Sequence, residues 1–398
     1  MPIPVPSAAH PALAALPGFS PEFRLVLGLV RVGLDTACAP VRPDALAWPA
    51  FLALVERHRL APFLQRHAAS AVAASCPDPV AQRIKTLATQ ITHRALTQAA
   101  DQIRLMERLA AAGIEPLTVK GLVLAQQLHG GPGGRHVGDI DLVVRPVDVA
   151  RADELLQAAG LRRSRPDFPL TPRQFQEFQR LKPEYEYVRA QPPLRLELLW
   201  RLEGLPAIDA LSSRFISVEV AGRSMRTLPP DLNALYLFQH GARHGWFRLF
   251  WLIDVARLIQ GGSVDWSAAL AQAAATGGRR ALLQGAALAE SLLGVPTPSA
   301  LAPQLGETRA LQRVAREARR QLARTTDRET TLEWFRQAAY RVRLQDSARA
   351  ALATAAPHLS SPLNWQTWPL PDRWFWVYRF ASPVLWACRR ARRSFARR

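Results

Sequence analysis

Cysteine is scarce in this chain of 398 residues. Cys38, Cys76 and Cys388 lie far apart, their number is odd, and no CxxC pair occurs. The spacing therefore indicates neither a zinc site nor a disulfide framework. A reducing compartment is the simplest setting for such a chain, and we predict a cytoplasmic protein.

Long apolar runs and targeting signals are also lacking. No uninterrupted run of roughly 18 apolar residues occurs, so the sequence predicts no membrane span. The opening stretch MPIPVPSAAHPALAALPGF has no basic region and is broken by prolines, which makes it a poor signal peptide. No internal repeat and no coiled-coil pattern is present. Nearly half of the residues are apolar, which is typical of a globular protein with a sizeable core.

Lysine is the rarest of the strongly charged residues. Of 51 lysines and arginines, only Lys85, Lys120 and Lys182 are lysine. The net charge of +19 favours polyanions, nucleotides or a membrane face as partners. The abundance of arginine, alanine and proline also indicates a GC-rich coding bias, so the arginine count alone is a weak sign of nucleic-acid binding. A lysine in a suggestive position is therefore notable, and Lys120 is one.

Three regions follow from the apolar periodicity. Residues 1–95 have the three-to-four spacing of helices. Residues 96–228 mix helices with strands that cluster late, and residues 229–398 are helical again and end in a basic, aromatic tail. We predict an α+β protein, in which a small mixed β-sheet core is flanked by N-terminal and C-terminal helical regions.

Two carboxylates interrupt an apolar strand in the stretch HVGDIDLVV. Asp139 and Asp141 are two residues apart, so a strand would place both on one face. Like charges this close repel one another and are costly to bury without a neutralising partner. A hard divalent cation is the usual partner, so we predict that both acids bind Mg²⁺ or Mn²⁺. The alternative is a pair of solvated acids on an edge strand.

Glycine and cationic residues precede these acids in two places. The stretch IEPLTVKG predicts a short strand that ends in a turn at Lys120 and Gly121. The stretch GGPGGRHVGD predicts a glycine-rich loop that carries Arg135 and Gly138. Glycines let a backbone approach phosphates, and cations neutralise their charge. We predict that these four residues bind a nucleotide. A surface position at a strand end is the alternative for Lys120, and Arg145 and Arg163 compete with Arg135 for the phosphate contact.

A third carboxylate is expected from a later strand. The stretch LRLELLW alternates, and Glu197 is our candidate for the third metal ligand and a catalytic residue together with Asp139 and Asp141. An outward-facing position fits the same alternation, and Glu184 and Glu186 are competitors. Two carboxylates on one strand and a third on a neighbour form the set that metal-assisted nucleotidyl transfer needs.

These stretches resemble a known family. VKGLVLAQQLHG, RHVGDIDLVVRPVDVARADELLQAAG, LRLELLW and LFQHGARHGWFRLFWLIDVARLI together resemble the bacterial nucleotidyltransferase-like proteins of the DNA polymerase β superfamily. More narrowly, they are similar to an uncharacterised nucleotidyltransferase family. The resemblance covers roughly residues 96–260.

The resemblance implies a small mixed sheet with metal on Asp139 and Asp141. Glu197 matches the position of the third carboxylate, and Gly121 matches the turn glycine of the superfamily's Gly-Ser signature. Leu122 stands where that signature has serine, so Lys120 is a candidate to replace the phosphate contact of the serine hydroxyl.

Two histidines follow on a predicted helix. His240 and His244 are four residues apart and share a helix face. No glutamate lies between them and no third ligand is evident, so zinc is not predicted. Packing in the core and contact with a substrate or nucleotide are both open. We expect Arg248 and Asp254 to form a structural ion pair.

The C-terminal tail combines aromatic residues with arginines. Six of its last ten residues are arginine, and WFWVYRF precedes them. Such a segment can lie on an anionic membrane. Nucleic-acid binding is a weaker alternative, and simple packing on the helical region is the third.

The main hypothesis is a Mg²⁺-dependent nucleotidyltransferase that transfers NMP from an NTP to a hydroxyl of a small molecule, sugar or protein. Glycosyl transfer from a nucleotide-sugar at the same metal site is the first alternative. A non-catalytic nucleotide-binding or scaffolding member is the second. The sequence does not identify the acceptor.

Overall fold

The structure is a computed structural model. It describes residues 18–40, 43, 45–306, 308–325, 331–355, 362–378, 380–382, 384–385 and 388. Within this part of the chain, none of the helices combines the length and the apolar character that crossing a membrane requires. Cys38 and Cys388 are exposed, and Cys76 is buried.

Five helices precede the sheet. They are α1 (Pro21–Gly33), α2 (Trp48–Arg57), α3 (Ala61–His67), α4 (Ala69–Ser75) and α5 (Asp78–Ala111). Helix α5 is continuous through 34 residues because its buried side chains keep the helical spacing throughout. The first predicted domain boundary, between residues 95 and 96, falls inside it. The division into 1–95, 96–228 and 229–398 stays a prediction.

The middle region contains a five-stranded sheet with the helices that cover it. Its strands are β1 (Leu117–Thr118), β2 (Ile140–Val143), β3 (Arg162–Arg165), β4 (Glu184–Arg189) and β5 (Leu194–Leu199). Its helices are α6 (Gly121–His129), α7 (Val149–Ala158), α8 (Pro172–Leu181) and the short α9 (Ile208–Leu211). The strand order is β1-β2-β5-β4-β3. Only the β2–β5 pair is parallel, so the sheet is mixed.

A separate hairpin completes this region. It consists of β6 (Ile216–Val220) and β7 (Arg223–Thr227), which pair antiparallel. The observed architecture confirms the predicted α+β class, with a small mixed sheet between helical flanks.

One face of the sheet is buried in its own apolar core. Ile140 and Leu142 of β2 and Leu196 and Leu198 of β5 pack there with helices α5, α7 and α8. Because side chains alternate along a strand, the residues between them lie on the opposite face. The polar residues of the predicted site occupy that opposite face.

The C-terminal region is helical, as predicted. Its helices are α10 (Pro230–Arg243), α11 (Leu249–Gln260), α12 (Trp266–Thr276), α13 (Arg279–Leu288), α14 (Arg309–Ala323), α15 (Thr331–Leu344), α16 (Ala348–Ala355) and α17 (Pro362–Thr367). Helices α10 and α11 are separated by a turn in which Gly245 and Trp246 have positive φ. Apolar residues of this region and of helices α1 to α4 share one core.

The aromatic tail has two sides. Phe375 and Tyr378 are buried beside Trp365, so part of the segment packs on the protein. Trp374, Trp376 and Phe380 are exposed. The arginines of the last ten residues lie outside the described residues. Packing therefore accounts for only part of the tail.

Candidate functional site

Strand pairing brings Asp141 beside Glu197. β2 and β5 run parallel, and Asp141 is the direct partner of Glu197 in their register. The two carboxyl groups influence one another's pKa across this pair. Asp139 lies just before β2 and interacts electrostatically with both. We call Asp139, Asp141 and Glu197 the carboxylate row.

The competing acids lie one strand further away. Glu186 pairs with Glu197 across the antiparallel β4–β5 ladder, and its carboxylate binds Arg165 at 3.1 Å. Glu184 has a raised pKa because it is buried, with Arg243 and Lys120 opposing that rise. Register therefore favours Glu197 as the neighbour of Asp141.

Lys120 reaches the carboxylate row from the turn before α6. Its Nζ lies 3.1 Å from Oδ1 of Asp141, and it also lies over the Tyr236 ring at 5.2 Å. The backbone at Lys120 has φ 53° and ψ −136°, a conformation that costs a non-glycine residue about 1–3 kcal/mol. Strain of this kind persists where surrounding contacts enforce it, and here they aim an ammonium group at Asp141.

Among the described residues, the three acids of the carboxylate row have one ion-pair partner within 4 Å, which is Lys120. Burial raises the pKa of Asp141 well above its ordinary value, Lys120 opposes this, and Asp139 and Glu197 add to it. Burial likewise raises the pKa of Glu197. For Lys120, burial alone would lower the pKa, but attraction by Asp141, Tyr236 and Glu197 raises it overall. A further positive charge beside the carboxylate row would therefore be electrostatically favourable.

The donor set matches a hard divalent cation. Carboxylate oxygens are the ligands that Mg²⁺ prefers, and proteins commonly supply only one or two of them while phosphates and water complete the shell. In the described part of the chain, no three His, Cys, Asp or Glu side chains are grouped closely enough to form a metal site by themselves. The residues fit a cation that is shared with a phosphate ligand better than one held in a closed cage.

Gly121 lets α6 begin against the carboxylate row. Gly121 has φ 42°, and a Cβ there would lie 3.7 Å from the backbone oxygen of Asp139. No side chain caps the first turn of α6. Leu122, which replaces the expected serine, is fully buried among apolar residues. The first turn of α6 thus offers backbone groups and Lys120 to a ligand, but no hydroxyl at position 122.

Arg135 is engaged elsewhere. Its guanidinium donates to both carboxylate oxygens of Asp254 at 2.8–3.1 Å and to the backbone oxygen of His136. His129 also bonds to Asp254, at 2.8 Å. We call Arg135, Asp254 and His129 the loop clamp, because it ties the glycine-rich loop to α11. No contact between Arg135 and the carboxylate row occurs among the described residues.

The loop clamp also corrects the expected ion pair of Arg248 with Asp254. Asp254 is buried against Arg135 and His129 instead. Arg248 donates to the backbone oxygen of Arg57. Sequence proximity on one helix suggested the wrong partner, because the glycine-rich loop folds back onto α11.

Arg59 is a site residue that sequence reasoning missed. Its Nη1 lies 3.2 Å from the point that a Cβ on Gly138 would occupy, and its charge interacts with Asp139. Burial and Arg248 lower the pKa of Arg59, while Asp139 raises it. No ion pair within 4 Å is found for it among the described residues. Arg59 lies in the turn between α2 and α3, 80 positions before Asp139, and no motif marks it.

Helix α10 covers the carboxylate row. Tyr236 contacts Lys120, and His240 and His244 continue the same face with ring centroids 4.7 Å apart. Trp251 of α11 lies 5.0 Å and 5.3 Å from the two rings. Burial, reinforced by nearby cations, lowers the pKa of each histidine well below its ordinary value. Both imidazoles are therefore neutral at pH 7, and Nδ1 of His240 has no hydrogen-bond partner among the described residues.

Comparison with known proteins agrees with this geometry. The family described as "Uncharacterised nucleotidyltransferase" matches residues 44–294, which include the carboxylate row, Lys120, the loop clamp and Arg59. No curated protein and no solved structure matches the chain. The match extends over more than half of the chain, and the chain therefore belongs to this family of uncharacterised nucleotidyltransferases.

Proposed function

We propose that this protein transfers a nucleotidyl group from an NTP to a hydroxyl group, with Mg²⁺ as cofactor. The observation that carries the proposal is the contact of Asp141 with Glu197 and with Lys120 at the first turn of α6. Carboxylates, a cation and a glycine turn then converge on one point of the sheet.

The reaction forms one bond and breaks another. The acceptor oxygen attacks the α-phosphorus, and the bond between the α-phosphorus and the bridging oxygen to the β-phosphate breaks. Pyrophosphate leaves with the electron pair, and the hydroxyl proton moves to a base. Glu197 is the candidate base, because its pKa is raised by burial and a carboxylate with a raised pKa accepts a proton more readily.

Asp139, Asp141 and Glu197 would hold the Mg²⁺ ion together with phosphate oxygens of the NTP rather than by themselves. When bound, such an ion neutralises charge on the attacking and leaving oxygens. Manganese has the same ligand preference. The carboxylates present at the row fit this role, since their negative charge exceeds that of Lys120.

The cations and glycines around the row support binding of the triphosphate. Lys120 and Gly121 lie at the start of α6, where backbone N–H groups and the helix dipole favour anions. Gly138 leaves space beside Arg59, which supplies a second cation. Arg135 supports this loop from beneath through Asp254 rather than by direct contact with the row. His240 and His244 are neutral and can donate or accept hydrogen bonds to the substrate that receives the nucleotidyl group.

Calorimetry with a panel of NTPs in the presence of Mg²⁺ tests the proposal. Wild type should bind at least one NTP, and Asp139→Asn/Asp141→Asn should not. Asp167→Asn/Asp209→Asn removes two exposed acids and should bind like wild type. Wild type and the Asp167→Asn/Asp209→Asn control should release pyrophosphate, and Asp139→Asn/Asp141→Asn should not.

Two results would contradict the proposal. If the Asp139→Asn/Asp141→Asn variant bound NTP as tightly as wild type, the carboxylate row would not be the nucleotide site. Turnover with UDP-sugars and none with NTPs would select glycosyl transfer instead.

A further inference from the structure

A pocket of about 520 Å³ opens beside the carboxylate row. It lies between α5 and the end of the sheet where β4 and β5 meet. We call it the basic pocket and define it by Arg94, Gln98, His136, Gly138 and Arg195. Its volume falls within the range of small-molecule sites.

The basic pocket lies on the same face of the sheet as the carboxylate row. Arg195 precedes Glu197 by two residues on β5, so the two side chains share a face about 7 Å apart along the strand. Gly138, at the other wall, is bonded directly to Asp139. A molecule in the pocket would therefore extend toward the carboxylate row.

The pocket carries uncompensated positive charge. Arg94 and Arg195 are exposed, and no ion pair within 4 Å is found for either within the described ranges. The one acid in the lining, Asp101, is already paired with Arg189 at 2.5 Å and with Arg104 at 3.6 Å.

A buried donor in the wall lacks a partner. Gln98 is only 9% exposed, and its Nε2 makes no hydrogen bond within the part of the chain that the structure describes. A buried donor left unpaired is energetically unfavourable. Nδ1 of His136 is also buried, and the described ranges contain no hydrogen-bond partner for it. Burial and the surrounding arginines lower the pKa of His136 to about 3, so this ring is neutral at pH 7. An oxygen-rich ligand would satisfy the amide and the cations together.

We propose that the basic pocket binds an anionic group, a phosphate or a carboxylate, on the acceptor of the transfer reaction. This inference rests on the proposed function and names its substrate class. The acceptor is a small molecule with a hydroxyl for the carboxylate row and an acidic group for Arg94, Arg195 and Gln98.

Calorimetry with inorganic phosphate tests the pocket directly. Arg94→Gln/Arg195→Gln should bind phosphate at least tenfold more weakly than wild type. Arg108→Gln/Arg309→Gln removes two exposed arginines outside the pocket and should bind like wild type. Equal affinity in wild type and Arg94→Gln/Arg195→Gln would overturn the assignment.

Competition separates the acceptor from the donor. Glucose 6-phosphate or glucuronate, but not glucose, should displace phosphate, and whichever displaces it at lower concentration identifies the anion. Saturating NTP with Mg²⁺ should leave phosphate bound. Displacement by NTP would make this a donor phosphate site and would overturn the inference.

The row variant separates failure of the pocket from failure of the proposed function. Asp139→Asn/Asp141→Asn should still bind phosphate. If no NTP binds to wild type while phosphate binds through Arg94 and Arg195, the proposed function fails and the anion site stands. If NTP binds and phosphate does not, only the pocket assignment fails.

A second inference rests on the exposed side of the C-terminal segment. Trp374, Trp376, Phe380 and Val384 are each about half exposed or more, and we call them the aromatic patch. Trp376 contacts both Trp374 and Phe380. On the other side, buried Phe375 and Tyr378 fix the segment to the protein, as described above.

We propose that the aromatic patch docks on an anionic membrane surface. The six arginines that follow it in sequence supply charge complementary to anionic lipid, and indole rings favour the membrane–water interface. Apolar side chains and adjacent basic residues together give the two signals that stable surface binding needs. The aliphatic Val384 in the patch favours lipid over stacked bases.

Vesicle flotation tests this inference with the full chain. Wild type should float with vesicles that contain phosphatidylserine and not with neutral vesicles. Trp374→Ser/Trp376→Ser/Phe380→Ser should lose most of this binding, while Leu332→Ser/Leu352→Ser, which alters equally exposed side chains elsewhere, should keep it. Flotation that is equal in all three proteins would overturn the inference. So would binding of single-stranded DNA, but not vesicles, through the patch.

Discussion

Two buried clusters of charged residues, the loop clamp and the carboxylate row, shift the pKa of their aspartates in opposite directions. In the loop clamp, burial raises the pKa of Asp254, but Arg135 and His129 lower it by more, so the net shift is downward. In the carboxylate row, burial raises the pKa of Asp141 most strongly, Lys120 opposes this rise, and Asp139 and Glu197 add to it, so the net shift is upward. The clamp is a satisfied ion pair, whereas the row retains unbalanced negative charge.

The difference separates a structural role from a binding role. A buried charge is tolerated when its partners are complete, as around Asp254. The same burial without complete partners is destabilising and favours a ligand that supplies the missing charge. Both clusters lie beside the glycine-rich loop, so we propose that the clamp fixes the loop and that the row binds the ligand.

The largest expected effect is on turnover when the row loses one charge. Asp141→Asn should lower the rate of nucleotidyl transfer on the order of 10³-fold, the equivalent of about 4 kcal/mol of transition-state stabilisation. Its stability without Mg²⁺ should change by less than about 1 kcal/mol, since Glu197 and Asp139 remain to pair with Lys120. Urea unfolding and a pyrophosphate-release assay measure the two quantities. A large loss of stability would show that the row is a structural ion cluster like the clamp.

The clamp should respond in the opposite way. Asp254→Asn leaves the buried guanidinium of Arg135 without its counter-charge, so the free energy of unfolding should fall by about 3–5 kcal/mol. The midpoint of urea unfolding reports this change. Asp209→Asn, at an exposed acid, is the matched control and should be neutral. If Asp254→Asn were as stable as wild type, the clamp would not be the element that fixes the loop.

The residues of the carboxylate row could be found from the sequence because their positions follow from the alternation of side chains along a strand. Asp139, Asp141 and the strand of Glu197 could be found by their pattern, and the turn at Lys120 stood out in a chain poor in lysine. The register that aligns Asp141 with Glu197 could not be read from the pattern, since it depends on which strands pair and how.

The clamp was not predictable in the same way. Arg135 looked like a phosphate ligand because it lies in a glycine-rich loop, and only the packing of that loop on α11 reveals Asp254 as its partner. Arg59 has no motif because it reaches the site from a turn of the N-terminal helices. Long-range contacts of this kind are set by tertiary packing and leave no periodic signal.

Arg135 and Arg59, two arginines beside the glycine-rich loop, differ in the same way as the clamp and the row. Arg135 is fully paired, whereas Arg59 lies beside Gly138 and interacts with Asp139. Arg59→Gln should therefore weaken NTP binding about tenfold, the effect of one lost charge-assisted contact, with little change in stability. Arg108→Gln, at an exposed position on α5, should leave binding unchanged. Equal NTP affinity in Arg59→Gln and wild type would remove Arg59 from the site.

The smallest expected effect is in the pH dependence of stability, and its sign differs between the clusters. The pKa of Asp141 is raised in the folded protein, so the native state binds this proton more tightly than the unfolded chain does. Wild type should therefore gain stability relative to Asp141→Asn as pH falls from the raised folded pKa toward 3.8. The pKa of Asp254 is lowered, so its contribution is complete above about 3.8 and is lost as pH falls through the folded pKa. Urea unfolding of wild type, Asp141→Asn and Asp254→Asn at several pH values, without Mg²⁺, measures both differences. If the stability differences of the two variants from wild type changed with pH in the same direction, the row and the clamp would be equally satisfied.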